Sequence, residues 1–374
     1  MTDGRRILIT GIAHPLAGAL AARLEADERV SYVGGIDLTA PAYPLERSEF
    51  IRADLRNPLV AKVIDSTRVD TIVHLAITAE PSRAGGRGRM KELNVIGTMQ
   101  LLAAAQRAER VRTFVMKSST AVYGSHYRDP ALFREDVAPQ TTPRTGYTRD
   151  AVEVEGYARA FGRQRSDVTL SILRFANFVG PSVMSPLTRY LSLPVVPTVL
   201  GYDPRLQLCH TDDALEVLYR VTLGTNPGIF NVAGPGIVYL SQAIRLAGKP
   251  SLPVALPLVQ GLGGLVKRFT PIDFTPEQLT LLQFGRVGDI SRLRHRLGYE
   301  PKYSTRAALE DFLASDPMTP LISRQQVAAI ERRVGDVLVR AVSSPDLLRP
   351  AGGAGRPPAG LSLRWRRSSV GGGR

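Results

Sequence analysis

Two groups in this chain have the type and placement to exchange a proton with a reacting oxygen: the hydroxyl of Ser119 and the phenol of Tyr147. Ser119 follows the apolar run Thr113-Phe114-Val115-Met116, which opens onto Lys117-Ser118-Ser119-Thr120. Tyr147 comes after a loop rich in Pro, Asp and Thr, at the head of a helix predicted from about Thr145 to Phe161. A hydroxyl at a strand end and a tyrosine on the next helix suit carbonyl/alcohol redox chemistry. The tyrosine trades a proton with the substrate oxygen while a nicotinamide trades a hydride, and the serine hydrogen-bonds the same oxygen.

Such chemistry needs a nucleotide site, and the first forty residues have the order for one. Ile7 to Ile9 read as a buried strand, Gly11 turns the backbone, and Leu16, Leu20 and Leu24 recur at helical spacing. A second strand, Tyr32 to Ile36, ends on Asp37. In a βαβ unit of this kind the helix start at His14-Pro15-Leu16 faces a pyrophosphate. Asp37 then reaches the ribose hydroxyls, disfavouring a 2′-phosphate and so selecting NAD. The three small positions of a dinucleotide turn fall on Gly11, His14 and Ala17. Ala17 still allows close helix packing, but His14 puts a side chain where backbone should meet phosphate. A structural βαβ unit with a closed crevice is the alternative reading.

The elements that must position these groups follow in alternation. A third strand over Glu49 to Ala53 ends at Asp54-Leu55, a short helix starts near Pro58, and a fourth strand covers Thr71 to Ala76. A long helix presents Leu93, Ile96, Leu101 and Ala104 on one side, the fifth strand carries Ser119, and a sixth spans Leu170 to Phe175. This alternation predicts an α/β fold, a Rossmann-like doubly wound parallel sheet with right-handed crossovers. Ligands bind such sheets outside the carboxyl ends of the strands, where Gly11, Asp37, Asp54, His74 and Ser119 all fall. Beyond Gly180 the alternation becomes irregular, with short strands at 194–200 and 229–233 and helices at 212–223 and 241–247. That pattern predicts a smaller, discontinuous substrate lobe over the crevice. The expected division is 1–180 for the nucleotide-binding domain, 181–342 for the lobe with a segment returning to the sheet, and 343–374 for a disordered basic tail.

Length and composition are those of a globular protein: 374 residues, 44% hydrophobic and 22% charged. The net charge of +14 is mostly arginine, part of it in the tail from Arg349 to Arg374. No basic helix with interleaved aromatics appears, so a dedicated nucleic-acid surface is not expected. Cys209 is the single cysteine, which excludes an intrachain disulfide and points to a reducing cytoplasm. The first strand begins almost at once with no apolar leader, and no stretch reaches the length of a membrane span. The apolar segment 252–266 is expected to pack over the substrate pocket. Amphipathic spacing predicts a helix over 325–342.

With these motifs in place, the chain resembles the extended short-chain dehydrogenase/reductases, the NAD-dependent epimerase/dehydratase group that acts mostly on nucleotide sugars. It looks closest to a bacterial subgroup of UDP-glucose 4-epimerase-like proteins. The resemblance runs from Arg6 to about Leu313. It implies that Asp54 and Leu55 contact adenine, and that Leu75 and Ala76 line the cofactor through their backbone. Asn94 resembles the family's helix asparagine, while Ala176 and Asn177, before Gly180-Pro181, match the segment reaching nicotinamide and sugar nucleotide. His210-Thr211-Asp212-Asp213-Ala214 and Leu297-Gly298-Tyr299-Glu300-Pro301 match two later motifs. It also implies that Tyr123 packs beneath the cofactor pocket.

One position departs from the family. Its Tyr-x-x-x-Lys reads here Tyr147-Thr148-Arg149-Asp150-Ala151, so the lysine that binds the nicotinamide ribose and keeps a positive charge near the phenol is missing. A tyrosine titrates near 10 unless a cation lowers it. Arg144 and Lys117 are the substitutes that the sequence offers, and an inward-facing Asp150 would oppose them. Of the histidines, His74 reads as structural and His210 as a tie to the second lobe, and none has metal-ligand spacing. The expected function is an NAD-dependent nucleotide-sugar epimerase/dehydratase-like oxidoreductase, which as an epimerase returns its hydride, with a small-molecule substrate and a homodimeric state. A catalytically silent NAD(P)-binding protein and a reductase of lipid or sterol-like substrates remain the alternatives.

Overall fold

The computed structural model describes residues 4–137, 146–181, 183, 185–255 and 276–315. Arg144, most of the apolar segment 252–266, the amphipathic stretch 325–342 and the basic tail 343–374 lie outside the described residues.

Seven parallel strands form the central sheet. They are β1 (Arg5–Thr10), β2 (Val30–Asp37), β3 (Glu49–Arg52), β4 (Thr71–His74), β5 (Thr113–Ser119), β6 (Thr169–Phe175) and a late strand, Gly228–Val232. Their spatial order is β3-β2-β1-β4-β5-β6 and then the late strand, with the chain reversing direction across the sheet between β1 and β4. This is the doubly wound order, and the crevice at the reversal is where such sheets take ligands. Alternation along each strand divides the apolar residues between two faces. Ile7, Ile9, Val73, Val115 and Leu173 pack with helices Pro15–Glu25 and Thr211–Leu223. Leu8, Ile72, Phe114, Met116 and Ile172 pack with helices Val60–Thr67, Gly97–Arg107 and Gly146–Gln164. Strands buried on both faces explain why they read in sequence as unbroken apolar runs.

The long helix is corrected in register. It runs as Arg87–Lys91, a π-helical turn at Glu92–Ile96, and Gly97–Arg107. The wider turn rotates the face, so Val95 and Leu102 point inward while Ile96, expected on the apolar side, is 39% exposed. A separate core holds the smaller lobe together, with Val179, Leu187, Tyr190, Leu206, Leu240 and Phe312 among its members. Asp213 ties that lobe to the chain's later turn, accepting from the Tyr299 hydroxyl at 2.6 Å and from the backbone of Lys302 and Tyr303. Among the described residues no helix is long and apolar enough to cross a membrane.

Candidate active site

A cavity of about 1370 Å³ opens at the carboxyl ends of β1, β2, β4, β5 and β6 and is covered by helix Pro276–Phe284. Its wall includes Gly11, His14, Pro15, Leu16, Asp37, Asp54, Leu55, Leu75, Ala76, Ser119, Tyr147, Ala176 and Asn177. The fold therefore brings together thirteen of the fourteen residues that the sequence pointed to, with Asn94 as the exception.

The turn after β1 has to be glycine at position 11. Its φ is +77°, and a Cβ there would sit 2.9 Å from the Ala76 backbone. His14 does not block the helix start, as its position suggested; it caps it. The ring Nδ1 accepts from the Leu16 N–H at 3.3 Å, and Pro15 has no N–H to offer. Asp37 accepts from the Ala13 N–H at 3.1 Å and the Leu38 N–H at 2.7 Å, which fixes its carboxylate at the end of β2. Further along the wall, Arg56 grips Asp54 at 2.6 Å and holds that carboxyl below the usual carboxylate range.

Asn94, expected at the site, and His74, read as structural, both lie behind its wall. Asn94 sits in the π-helical turn, where its amide accepts from the Thr78 N–H at 3.0 Å and donates to the Thr78 carbonyl at 2.8 Å. It pins the segment after β4 and does not line the cavity. His74 is fully buried between the hydroxyls of Thr10, at 2.7 Å, and Thr98, at 2.8 Å. Thr98 donates to the Asn94 carbonyl, so it accepts from His74 Nε2, leaving Nδ1 to accept from Thr10. Burial pushes the imidazole down to about 3, so it stays neutral and structural.

The Tyr147 phenol and Ser119 both line the cavity, and Ser119 acts on the phenol, which brings the two candidate proton-handling groups together. Ser119 also accepts from the Ala121 N–H at 3.1 Å and so caps the short helical turn Thr120–Tyr123. Burial raises the phenol to about 12; Ser119 and the charge of Arg286 pull the other way. Asp150 is buried as well, with Arg87 clamping both its oxygens at 2.6 and 2.8 Å, and its charge still raises the phenol. Beneath the site, Glu155 and Arg174 form a buried ion pair at 2.6 Å, with Ser118 donating to Glu155 and Arg174 donating to the Tyr123 hydroxyl. Tyr123 in turn donates to Asn231 at 2.8 Å, which bears out its place under the pocket.

Ala151 is 3% exposed and packs among Val122, Tyr123 and Phe133. Of the substitutes suggested by sequence, Lys117 does line the cavity, and burial lowers its ammonium to about 8. Its charge is set against Glu80 and His74, however, on the β4 side. Among the described residues the cation acting on the Tyr147 phenol is Arg286, which sequence reasoning missed. No local motif marks it; only the path of the chain from the second lobe brings it there. His210 behaves as expected: it caps helix Thr211–Leu223 through the Asp212 N–H at 3.1 Å and stacks on Tyr303. Among the described residues no cluster of His, Cys, Asp or Glu could hold a metal.

The parallel sheet, the glycine turn against β4 and the acid at the end of β2 define a Rossmann-type dinucleotide-binding protein. The chain belongs to the NAD dependent epimerase/dehydratase family, whose model matches residues 7–233. An uncharacterized protein of Mycobacterium tuberculosis is 43% identical over 331 residues, covering 87% of this chain and 88% of that protein. UDP-glucuronic acid decarboxylase 6 of Arabidopsis thaliana is 27% identical over 333 residues, covering 82% of this chain and 88% of the plant protein. Among solved structures, UDP-glucose 4-epimerase of Thermotoga maritima with UDP-glucose aligns with a TM-score of 0.64 at 20% identity, over 83% of this chain and 98% of that one. UDP-glucuronic acid 4-epimerase of Bacillus cereus, in complex with UDP-glucuronic acid and NAD, gives 0.64 at 20% identity, over 85% of this chain and 100% of that one. These likenesses establish the same fold.

Proposed function

We propose that the chain is an NAD-dependent enzyme of the epimerase/dehydratase type acting on a nucleotide sugar, with residues 1–180 carrying the cofactor and 181–342 the substrate lobe. The observation that carries this reading is that Ser119, Tyr147 and the Asp37 carboxylate open into one cavity, large enough for a cofactor and a substrate together. The residues fit NAD. Gly11 leaves room that any Cβ would fill, His14 and Pro15 stand exposed at the wall, and Asp37 stands ready for the ribose hydroxyls while repelling a 2′-phosphate. Leu55, Leu75, Ala76 and Ala176 supply apolar and backbone surface around it.

When bound, NAD supplies the acceptor for the substrate's hydride. Tyr147 takes the proton of the substrate hydroxyl as that C–O becomes a carbonyl, Ser119 donates to the same oxygen, and Asn177 faces the sugar nucleotide from the lobe side. The proton returns from Tyr147 when the carbonyl is reduced again. The UDP-sugar complexes of the structural neighbours and the Arabidopsis decarboxylase support a nucleotide sugar as the substrate class. A cytoplasmic homodimer is part of the same proposal.

A silent nucleotide-binding protein is the second reading, favoured by Ala151 at the family lysine position and by the His14 ring on the Leu16 N–H. One experiment separates the two. Purified protein is denatured and assayed for released NAD by mass, and the intact protein is tested against a panel of UDP- and dTDP-sugars for epimerised, dehydrated or decarboxylated product. Product that disappears in Tyr147→Phe supports the enzyme; bound NAD with no product from any sugar supports the silent binder.

A further inference from the structure

We infer that Arg286, delivered from the second lobe, takes over the role of the missing lysine as the cation that poises the Tyr147 phenol. This rests on reading Tyr147 as the proton relay. Arg286 lines the cavity, and its charge acts on the phenols of Tyr147 and Tyr123. Those two tyrosines are also neighbours of Ala151, the residue at the vacated lysine position. The cation thus arrives on the same tyrosines from a different part of the chain.

The segment carrying Arg286 is held on both sides. Its N–H donates to the Arg205 carbonyl at 3.3 Å, Phe133 N–H donates to the Val287 carbonyl at 2.8 Å, and Gly288 N–H donates to Gln207 Oε1 at 2.8 Å. Gly285, at φ +68°, is pressed so close to Arg205 that a Cβ would lie 2.4 Å from its carbonyl oxygen. This bend turns Arg286 toward the floor of the cavity, where Nη1 donates to the Gly124 carbonyl at 3.0 Å. The guanidinium's Nε is buried with no hydrogen-bond partner among the described residues. A guanidinium left with an orphaned donor costs stability. Burial also drags it down to about 10. The groups on which its charge acts are the phenols of Tyr147 and Tyr123 and the carboxylate of Asp129.

The other charges around the phenol do not replace it. Asp150 and Glu155 both oppose deprotonation, and each is held by an arginine of its own, Arg87 and Arg174. Glu277, whose carboxylate lies over Gly146, adds negative charge above the site. Among the described residues Arg286 is therefore the positive group that favours the phenolate.

The test reads the phenol directly, without substrate or NAD, so a chain that turns nothing over still returns an answer. Protein carrying difluorotyrosine, which titrates lower than tyrosine, is followed by fluorine NMR against pH, the Tyr147 signal being assigned by its absence in Tyr147→Phe. Arg286→Gln is expected to move this titration up by about one unit or more, tenfold less phenolate at a fixed pH. Arg286→Lys should stay near wild type, and Arg286→Gln combined with Ala151→Lys should bring the titration back down. Where turnover is measurable, the alkaline limb of its pH profile should move with the NMR values. Should Arg286→Gln fail to fold, Arg286→Met carries the same readings. An unchanged titration in the neutral variant, or a lysine variant that behaves like the glutamine one, overturns the inference.

Discussion

Replacing His14 by glycine should tighten NAD. The ring now takes the Leu16 N–H, Pro15 has none, and the Ala17 and Gly18 N–H groups already donate to the His14 carbonyl at 2.9 and 3.1 Å. The helix start therefore offers a pyrophosphate little that is not already engaged. Removing the ring releases one amide and lets backbone approach the phosphate. A hydrogen bond to a charged group is worth about 1.5–3 kcal/mol net. Exchanging a capping side chain for glycine costs only a few tenths of a kcal/mol. The balance favours binding by about 1–2 kcal/mol, roughly a tenfold lower Kd. Titration calorimetry of NAD into wild type, His14→Gly and His14→Ala measures it, with Ala gaining less because its Cβ remains. Melting should drop by no more than about 2 °C. Weaker binding in His14→Gly would show that the imidazole itself grips the cofactor, and the capping argument would be wrong.

Four further outcomes are expected. Asp37→Ala should weaken NAD by about 1–3 kcal/mol, since ribose hydroxyls lose their acceptor, and should narrow the preference against NADP; calorimetry with both cofactors checks this. Turnover should climb toward alkaline pH, because a phenol raised to about 12 is protonated at neutrality and its phenolate grows about tenfold per unit below that value. Glu155→Ala leaves Arg174 buried without its partner and should cost about 3–5 kcal/mol, a fall on the order of 10 °C in Tm by calorimetry. His74, depressed to about 3 when folded against 6.5 when unfolded, binds fewer protons in the native state. Stability should accordingly be full above about pH 6.5 and fall by roughly 1.4 kcal/mol per unit as pH drops toward 3, with the slope flattened in His74→Gln, as denaturant titrations at several pH values would show.

The sequence by itself determined the sheet and most of the cavity wall. Strands buried on both faces must be apolar along their whole length, so Ile7–Ile9 and Thr113–Met116 announced themselves, and ligand residues at their carboxyl ends followed from the crossover rule. Position relative to a strand end is a local property, which is why Gly11, Asp37 and Ser119 were legible in advance. Whether a side chain near that end faces the cavity was decided by tertiary structure. His74 and Asn94 turned inward to hydroxyl and backbone partners from β1, from helix Gly97–Arg107 and from the segment after β4. The π-helical turn that swung Ile96 out is an extra residue in a helix, invisible to a fixed 3.6-residue period. Arg286 lay furthest from reach. Its meeting with Tyr147 depends on how the second lobe folds back over the sheet, and no local spacing encodes a contact between residues so distant in the chain.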